Sequence, residues 1–414
     1  MRDKLLTCFL LIGLFFSLAP TAMASTTWYV NGMSGSNGSN CTSPTTPCKT
    51  IRHAISLATS GDTIRVAAAI YTENFTLGKS LNILGAGAST TIIDGGGVRT
   101  VVTISNTSAH VTLSKLTIRN GKATSGGGIN NSGTLTLTNS TVSGNQAPIP
   151  CIHFFVFCEI SAGTASGGGI YNSGALIISN SIISGNHAGS YCNANPCSAF
   201  GGGIYNRGTL MMIRNSSLIT NSAGTACSTS LNCRVGTGGA FYSFGGAVTL
   251  DNSTVTGSSA YRCSGTCGGA GGAIVNGSGN VAVNNSTVSG NSAGGIFNSG
   301  TATLQNSIVS NSGSNCSGTI TSSGYNLSSD GSCAFSNSGD RNSTSPVLGT
   351  LAYYGGPTPT IPLLTGSPAI DAGNPSGCKD GLGHLLKTDQ RGMPRPDPED
   401  SGGCDMGAFE RQSD

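Results

Sequence analysis

The feature that most constrains this chain is one short unit that recurs six times between residues 126 and 313. The units are 20 to 23 residues long and begin at Gly126, Gly167, Gly201, Gly238, Gly271 and Gly294. Each contains an Asn-Ser step, whose Asn is Asn139, Asn180, Asn215, Asn252, Asn285 or Asn306. A unit of this size cannot bury its apolar side chains alone, so the repeat predicts a solenoid in which each unit packs on its neighbours.

Apolar residues alternate with period two inside each unit, which indicates strands rather than helices. One unit then forms one rung of a parallel β-helix, and each strand pairs with its equivalent in the next rung. The first-strand ladder predicted to point inward is Ile129, Ile170, Ile204, Phe241, Ile274 and Ile296. The second is Leu137, Ile178, Met212, Leu250, Val283 and Leu304, and the third is Val142, Ile183, Leu218, Val255, Val288 and Val309. The predicted class is an all-β, right-handed parallel β-helix.

The recurring Asn of the Asn-Ser step is predicted to point inward at a strand bend. There its amide can bond backbone groups and the equivalent Asn of the next rung. Several of these positions also fit the acceptor sequence for N-glycosylation. We favour the turn interpretation, because the step belongs to the repeat itself.

Four segments are expected. Residues 1–24 have a basic start, an apolar run and Ala22-Met23-Ala24, which predicts a secretory signal peptide. Residues 25–80 form an N-terminal strand and a helical cap, because the apolar side chains of residues 48–59 fall on one helical face. Residues 81–340 form the β-helix, and residues 341–414, rich in Pro, Asp and Gly, form an irregular C-terminal cap.

Fourteen cysteines follow the signal segment, and they fall into neighbouring couples. The expected disulfides are Cys41–Cys48, Cys151–Cys158, Cys192–Cys197, Cys227–Cys233, Cys263–Cys267, Cys316–Cys333 and Cys378–Cys404. Four of the couples lie in inserts between repeat units, so these loops emerge from one edge of the stack. An even count in an exported chain favours disulfides, and metal binding is the alternative.

Charge and hydropathy exclude several classes of protein. Charged residues make up only 9% of the chain and the formal net charge is +3, without a polybasic face for nucleic acid or anionic lipid. No segment after the signal approaches the ~20 apolar residues that a spanning helix needs. We expect a secreted, extracellular monomer.

The repeat region resembles the pectate-lyase-like β-helix superfamily, and its Gly-Gly-x-Ile units look like the repeats of polymorphic outer-membrane proteins. The C-terminal region is similar to the choice-of-anchor Q domain of bacterial surface proteins. The motifs that carry this second resemblance are Ser367-Pro-Ala-Ile-Asp371-Ala-Gly-Asn374, Asp389-Gln-Arg-Gly392, Pro394-Arg-Pro396 and Asp405-Met-Gly-Ala-Phe-Glu410. The Phe-x-x-Asn half of the outer-membrane repeat is largely missing, and the sequence ends four residues after Glu410. These departures favour release over anchoring.

Acidic residues are too sparse in the repeats to predict a lyase or glycosidase centre, which needs clustered carboxylates. Between residues 124 and 335 they are Glu159, Asp251 and Asp330. The basic residues Arg207, Arg214, Arg234 and Arg262 are predicted to lack a carboxylate partner in an adjacent rung. Near the C-terminus, Asp389, Arg391 and Asp405 predict either a Ca²⁺ site or a salt-bridged cap. We favour the cap, and therefore expect no cofactor. The five histidines, His53, His110, His153, His187 and His384, show no metal-ligand spacing.

One surface feature stands out. If Ile170 and its equivalents point inward, the next residues point outward as Asn130, Tyr171, Tyr205, Tyr242, Val275 and Phe297, with Arg207 on the same face. Such a ladder can bind sugar rings, or it can simply stack between rungs. The predicted function is a non-catalytic structural, adhesive or glycan-binding role, through Tyr171, Tyr205, Arg207, Tyr242 and Phe297, toward a polysaccharide or cell-surface partner. The alternative is a polysaccharide lyase or hydrolase.

Overall fold

The computed structural model describes residues 25–153, 158–161, 163–192, 197–224, 226–227, 233–260, 272–292, 294–398 and 403–412. The predicted signal segment lies outside them. Two long sheets of parallel strands dominate the fold, which is the expected parallel β-helix. No helix in the described ranges is long and apolar enough to cross a membrane.

Sheet A has 18 strands and bends at a corner into two arms. Arm 1 contains Phe75–Leu77, Val102–Ile104, Ile129–Asn131, Ile170–Asn172, Ile204–Asn206, Ile296–Asn298 and Cys316–Ser317. Arm 2 contains Thr27–Val30, Thr63–Val66, Leu81–Gly85, His110–Ser114, Thr134–Thr138, Ala175–Ser179, Leu210–Arg214, Thr301–Gln305 and Thr321–Ser322. The strands Phe241–Asp251 and Ile274–Asn284 run through the corner and belong to both arms.

Sheet B has 10 strands, and each of them closes one rung. They are Ala69–Thr72, Thr91–Asp94, Thr117–Arg119, Thr141–Ser143, Ile182–Ser184, Ser217–Ile219, Thr254–Thr256, Thr287–Ser289, Ile308–Ser310 and Leu327–Ser328. Each is only two to four residues long. A rung therefore has little core of its own and depends on the rungs beside it.

The first and third predicted ladders are confirmed. Equivalent residues pair along arm 1 from Ile129 to Ile296 and along sheet B from Val142 to Val309. All of these side chains are at most 2% exposed. Branched side chains of similar size thus stack on one another to form one continuous core.

The second ladder is wrong at one position. Ile213, not Met212, pairs with Ile178 on one side and Leu250 on the other. Ile213 is fully buried, whereas Met212 is partly exposed. The third unit has one more residue between its first and second strands than the second unit has, and a shift of one residue exchanges the two faces of a strand.

The repeated Asn of the Asn-Ser step does not point into the core, so its predicted direction is wrong. The predicted bonding between equivalent residues is present at two steps: Asn252 donates to Asn215 at 2.8 Å, and Asn306 donates to Asn285 at 3.1 Å. All six residues have left-handed backbone, with φ between 46° and 52°, and they form the turn between arm 2 and sheet B. Asn adopts this conformation more readily than other residues with a Cβ. The hydroxyl of the Ser that follows is the group that lies inside, as at Ser181 and Ser216.

Two other rows of Asn form the interior polar ladders. In arm 1, the Asn131 amide donates to Asn172 at 2.6 Å, and Asn172 donates to Asn206 at 2.7 Å. At the end of sheet B, Asn145 donates to Asn186 at 3.0 Å, as Asn186 does to Asn221. These side chains are fully buried, and each amide is satisfied by its neighbours.

Parallel stacking continues from the ends of the repeat units into the described parts of the inserts. Sheet C consists of Gln146–Ala147, His187–Ala188, Ser222–Ala223 and Ser259–Ala260, and sheet D of Gly163–Ser166, Cys197–Phe200 and Cys233–Thr237. Tyr191–Cys192 pairs with Ala226–Cys227, and Cys151–His153 pairs antiparallel with Cys158–Ser161. A small separate core, which includes Ala165 and Ala199, lies under these strands.

Three of the predicted disulfides are confirmed: Cys41–Cys48, Cys316–Cys333 and Cys378–Cys404. Cys197 is also disulfide-bonded. The side chains of Cys151, Cys158, Cys192, Cys227, Cys233, Cys263 and Cys267 lie outside the described part, so the other four pairings stay predictions.

The helix Ile51–Leu57 lies where an N-terminal cap was predicted, with Ile51, Ala54 and Ile55 buried. The Thr50 hydroxyl caps it by accepting from the His53 N–H at 3.2 Å. The carboxylate of Glu73 accepts the N–H groups of Ile51 and Arg52, both at 2.9 Å. A negative charge at a helix N-terminus is favourable, so Glu73 fixes the helix to the first rungs.

The C-terminal segment is irregular, as expected, and it runs back along the outer face of sheet B. The Ser217 hydroxyl donates to the Pro359 carbonyl at 2.5 Å, and the Ala408 N–H donates to the Thr287 hydroxyl at 3.1 Å. The Gln390 amide lies between them and bonds the hydroxyls of Ser217 and Thr254 at 2.8 and 2.6 Å. Outward residues of sheet B in these rungs are consequently buried.

Candidate functional site

The outer face of arm 1 carries one residue per rung in continuous register. From the N-terminal end the row is Thr76, Thr103, Asn130, Tyr171, Tyr205, Tyr242, Val275, Phe297 and Ser317. The outward positions predicted from the repeat are therefore placed in one row. Within these described positions the row is polar at its start, aromatic in the middle and free of carboxylates.

Three consecutive tyrosines form the centre of this row, and we call Tyr171, Tyr205 and Tyr242 the tyrosine ladder. The ring centroids of Tyr171 and Tyr205 lie 5.4 Å apart, and those of Tyr205 and Tyr242 lie 5.6 Å apart. The planes are inclined by 21° and 4°, so the rings are stacked. Parallel β-pairing sets the distance between rungs, and the rings lean slightly to make contact.

Aromatic side chains from the inserts and the corner flank the ladder. Phe200, at the end of a sheet D strand, packs at an angle against Tyr205 and Tyr242 at 6.1 and 4.9 Å. Phe244 extends the stack beyond Tyr242 and is 51% exposed. Each tyrosine is consequently half-buried, and its inner faces are covered by its neighbours. The parts left for a ligand are the ring edges and the phenolic hydroxyls.

The ladder is neutral with one cation at its side. Burial raises the pKa of Tyr205 and of Tyr242, so these phenols keep their protons at neutral pH. Interaction with the Tyr171 hydroxyl, and then with Tyr205, raises the pKa of the Arg207 guanidinium, which lies beside the ladder. A row of neutral hydroxyls beside a permanent positive charge can donate and accept hydrogen bonds.

A cleft of about 490 Å³ lies at the N-terminal end of the same face. Thr76 and Thr103 form its floor, and Arg52, Asn74 and Arg99 lie at its walls. Glu73, the nearby acid, already caps the helix, so the cleft has exposed guanidinium groups and hydroxyls. It extends the polar part of arm 1 beyond the tyrosine ladder.

The prediction that Arg214 lacks a carboxylate in an adjacent rung is wrong. Arg214 pairs with Asp251 in the next rung, and their side chains approach to 3.3 Å. Asp380, from the C-terminal segment, lies 3.4 Å from the other side of the guanidinium. Arg234 and Arg262 lie outside the described side chains. The cause is the same as for Met212: the third unit has one extra residue before its second strand. This residue shifts the strand by one position and brings Arg214 opposite Asp251.

This Arg214 cluster lies on arm 2, away from the tyrosine ladder. Burial raises the pKa of Asp251, whose side chain is 2% exposed. The neighbouring Asp380 has a lowered pKa: burial opposes the charge, but N–H donors of His384 and Leu382 outweigh it. Two carboxylates with opposite shifts can act as acid and base when substrate reaches both. Here both are covered, because the loop around Gly381 donates to Asp251 at 2.9 Å.

The acidic and basic residues of the C-terminal motifs form a second, buried cluster. Arg395 and Glu410 pair at 2.6 Å with both side chains fully buried, and Arg391 pairs with Asp389 at 2.7 Å. The oxygens of Asp389 accept four N–H groups, those of the Arg391 backbone and side chain, the Met393 backbone and the Glu410 backbone. This donor set favours the salt-bridged cap over the Ca²⁺ site.

Arg395 also joins this cluster to the solenoid. Its guanidinium donates to the Asn252 side chain at 2.9 Å and to the Gly407 carbonyl at 2.8 Å. Asn252 belongs to the repeated turn, so Arg395 attaches the C-terminal segment to the row of left-handed Asn residues. Such long-range contacts could not be found from the spacing of residues in the sequence.

The pH dependence of stability should report on Asp405. Burial, and then the nearby charge of Glu410, raise its pKa from 3.8 to about 7. The folded state then binds a proton more tightly than the unfolded chain does. The resulting stabilisation is complete below pH ~4 and is lost as the pH rises toward about 7. We expect the thermal midpoint to fall across this window, and to fall less in Asp405→Asn. An unchanged slope in the variant would contradict this assignment.

Parallel strands wound into successive rungs, with a helix over the N-terminal end, make this chain a parallel β-helix protein. No protein-family model and no curated protein matches its sequence. The resemblances of the repeats and of the C-terminal motifs therefore remain predictions.

Solved structures with a similar fold include a pectate lyase and two pectin methylesterase structures. A pectate lyase aligns over 94% of this chain and 98% of its own, with 14% identity and a TM-score of 0.44. A pectin methylesterase in complex with a hexasaccharide aligns over 67% of this chain and 81% of its own, with 15% identity and a TM-score of 0.32. The pectin methylesterase PemA from Erwinia chrysanthemi has the same coverage and TM-score at 14% identity. These likenesses concern the fold alone.

Proposed function

We propose that this protein is an extracellular, non-catalytic solenoid that binds a polysaccharide along the outer face of arm 1. The observation that carries the proposal is the tyrosine ladder, which presents three equivalent side chains at 5.4 and 5.6 Å intervals. A polymer with a regular repeat can contact such a row at several points, and weak contacts at many points add through effective concentration.

The chemistry of the row fits hydroxyl-rich ligands. Hydroxyl groups on both partners can donate and accept, while Arg207 and the arginines of the N-terminal cleft can bond sugar oxygens or acidic substituents. Because the ring faces cover one another, binding rests on the edges and hydroxyls of the stack. Binding of a polysaccharide therefore requires the phenolic oxygens.

Binding can be tested by co-sedimentation of the purified protein with a panel of insoluble and gel-forming polysaccharides. Replacing Tyr171, Tyr205 and Tyr242 together by Phe should reduce retention by about tenfold, because it removes three hydroxyls and keeps the stack. Replacing all three by Ala should reduce it at least as much. It should also lower stability by about 0.5 kcal/mol or more for each of the five ring contacts that are lost.

The matched control is Tyr29→Phe, which removes a hydroxyl on arm 2 and should leave retention unchanged. Failure of the unmodified protein to bind any member of the panel would contradict the proposal. Equal retention of the unmodified protein and the triple Phe variant would contradict the assigned face.

A second candidate function, polysaccharide cleavage, has one observation in its favour: the two carboxylates of Asp251 and Asp380 beside Arg214. Their burial argues against it, since a glycosidic bond has to reach the reacting groups. Incubation with pectin or alginate should leave polymer length unchanged. If the unmodified protein shortens the polymer and Asp380→Asn does not, cleavage at this cluster is established.

A further inference from the structure

A second cleft, of about 370 Å³, lies on the outer face of sheet B, where the C-terminal segment meets the solenoid. Its floor includes Thr141 and Ile182, which point outward from adjacent rungs. Tyr353 and Pro357 of the C-terminal segment also line it. The cleft is therefore built by two distant parts of the chain, and neither part forms it alone.

Two members of the left-handed Asn row line this cleft with free side chains. Farther along the row, the C-terminal segment occupies the amides: Asn252 bonds the Thr388 carbonyl, and Asn285 bonds the Lys379 carbonyl. Among the hydrogen bonds of the described residues, the side chains of Asn139 and Asn180 make none. Both amides lie at the cleft with donors and acceptors open.

Tyr353 provides an aromatic wall held in place by its own loop. The ring is 63% exposed. The loop is closed by paired backbone bonds between Ala352 and Thr360 at 3.0 and 3.2 Å. The Thr358 hydroxyl ties the loop to the Asn215 carbonyl at 3.1 Å. The adjacent Tyr354 packs edge-on against Phe409, whereas the Tyr353 ring is left in solvent.

We propose that this cleft binds one neutral pyranose unit, with the sugar ring against Tyr353 and its hydroxyls on Asn139 and Asn180. The residues that line the cleft carry no charge, which disfavours phosphate and carboxylate ligands. An exposed aromatic ring and two unpaired amides in one cleft offer apolar contact to a sugar ring and hydrogen bonds to its hydroxyls. This site is separate from the tyrosine ladder and does not depend on it.

The test is ligand-observed NMR of the full chain with neutral methyl glycosides of glucose, galactose, mannose and xylose. Tyr353→Ala should weaken binding of the recognised glycoside by about fivefold, whereas Tyr353→Phe should bind as the unmodified protein does. Asn139→Gly with Asn180→Gly should weaken it by about tenfold. Glycine keeps the left-handed backbone, whose φ is 48° at both residues, so the double variant removes the amides without strain.

The triple Phe variant of the tyrosine ladder should keep this binding, so failure of the two sites can be told apart. No binding of any of the four glycosides at 50-fold excess would overturn the proposal. Binding that survives both Tyr353→Ala and the double Gly variant would overturn it as well.

Discussion

Replacing Ile213 by Ala is expected to lower the free energy of unfolding by about 2 to 5 kcal/mol, whereas replacing the adjacent Met212 should cost less than about 1 kcal/mol. Ile213 is fully buried between Ile178 and Leu250, so truncation leaves a cavity in a stack that cannot collapse around it. Met212 points outward and loses only partial burial.

Chemical denaturation of the two variants beside the unmodified protein measures both effects. Leu250→Ala is the matched comparison in the next rung, and it should lose as much stability as Ile213→Ala. A larger loss for Met212→Ala than for Ile213→Ala would mean that the strand is shifted by one residue. Every outward assignment in that rung, including Arg214, would then be reversed.

Replacing Arg395 by Met should destabilise the docked C-terminal segment by about 3 to 5 kcal/mol. Arg395 and Glu410 are both fully buried, and removal of the cation leaves the buried Glu410 carboxylate without its ionic partner. The substitution also leaves the Asn252 side chain and the Gly407 carbonyl without their donor. Hydrogen exchange of residues 403–412 should rise by about two to four orders of magnitude.

Arg119→Met is the control, because Arg119 pairs with Asp94 at 2.8 Å but is 37% exposed and should contribute about 0 to 1 kcal/mol. In the double variant Arg395→Met and Glu410→Gln, more than half of the lost protection should return, since no buried charge remains. Equal exchange in Arg395→Met and Arg119→Met would contradict the proposed attachment of the segment.

The sequence alone predicted the solenoid and most of its register, because stacked rungs require like residues at like positions. The residues of the row from Val142 to Val309 were predicted from the period of the repeat alone. The period did not reveal where a turn carries an additional residue, and this is why Met212 was placed inside. It also did not separate an Asn that forms a left-handed turn, such as Asn180, from a buried one such as Asn186.

The candidate sites were predictable to different degrees. The tyrosine ladder follows directly from the position after each buried Ile, so its residues were named from the repeat. The Arg214 cluster and the Tyr353 cleft each need a residue from the C-terminal segment, more than 120 positions away in sequence. No local pattern encodes the path of that segment along sheet B, because it has no repeat and little regular structure.

The central claim is that arm 1 holds a polysaccharide without cleaving it, and a structure with bound oligosaccharide tests it most directly. Crystals of the full chain soaked with oligosaccharides from a polymer that it retains should show an intact chain along Tyr171, Tyr205 and Tyr242, within hydrogen-bond distance of their hydroxyls. An oligosaccharide bound against Asp251 and Asp380, or found broken at a glycosidic bond, would contradict the claim.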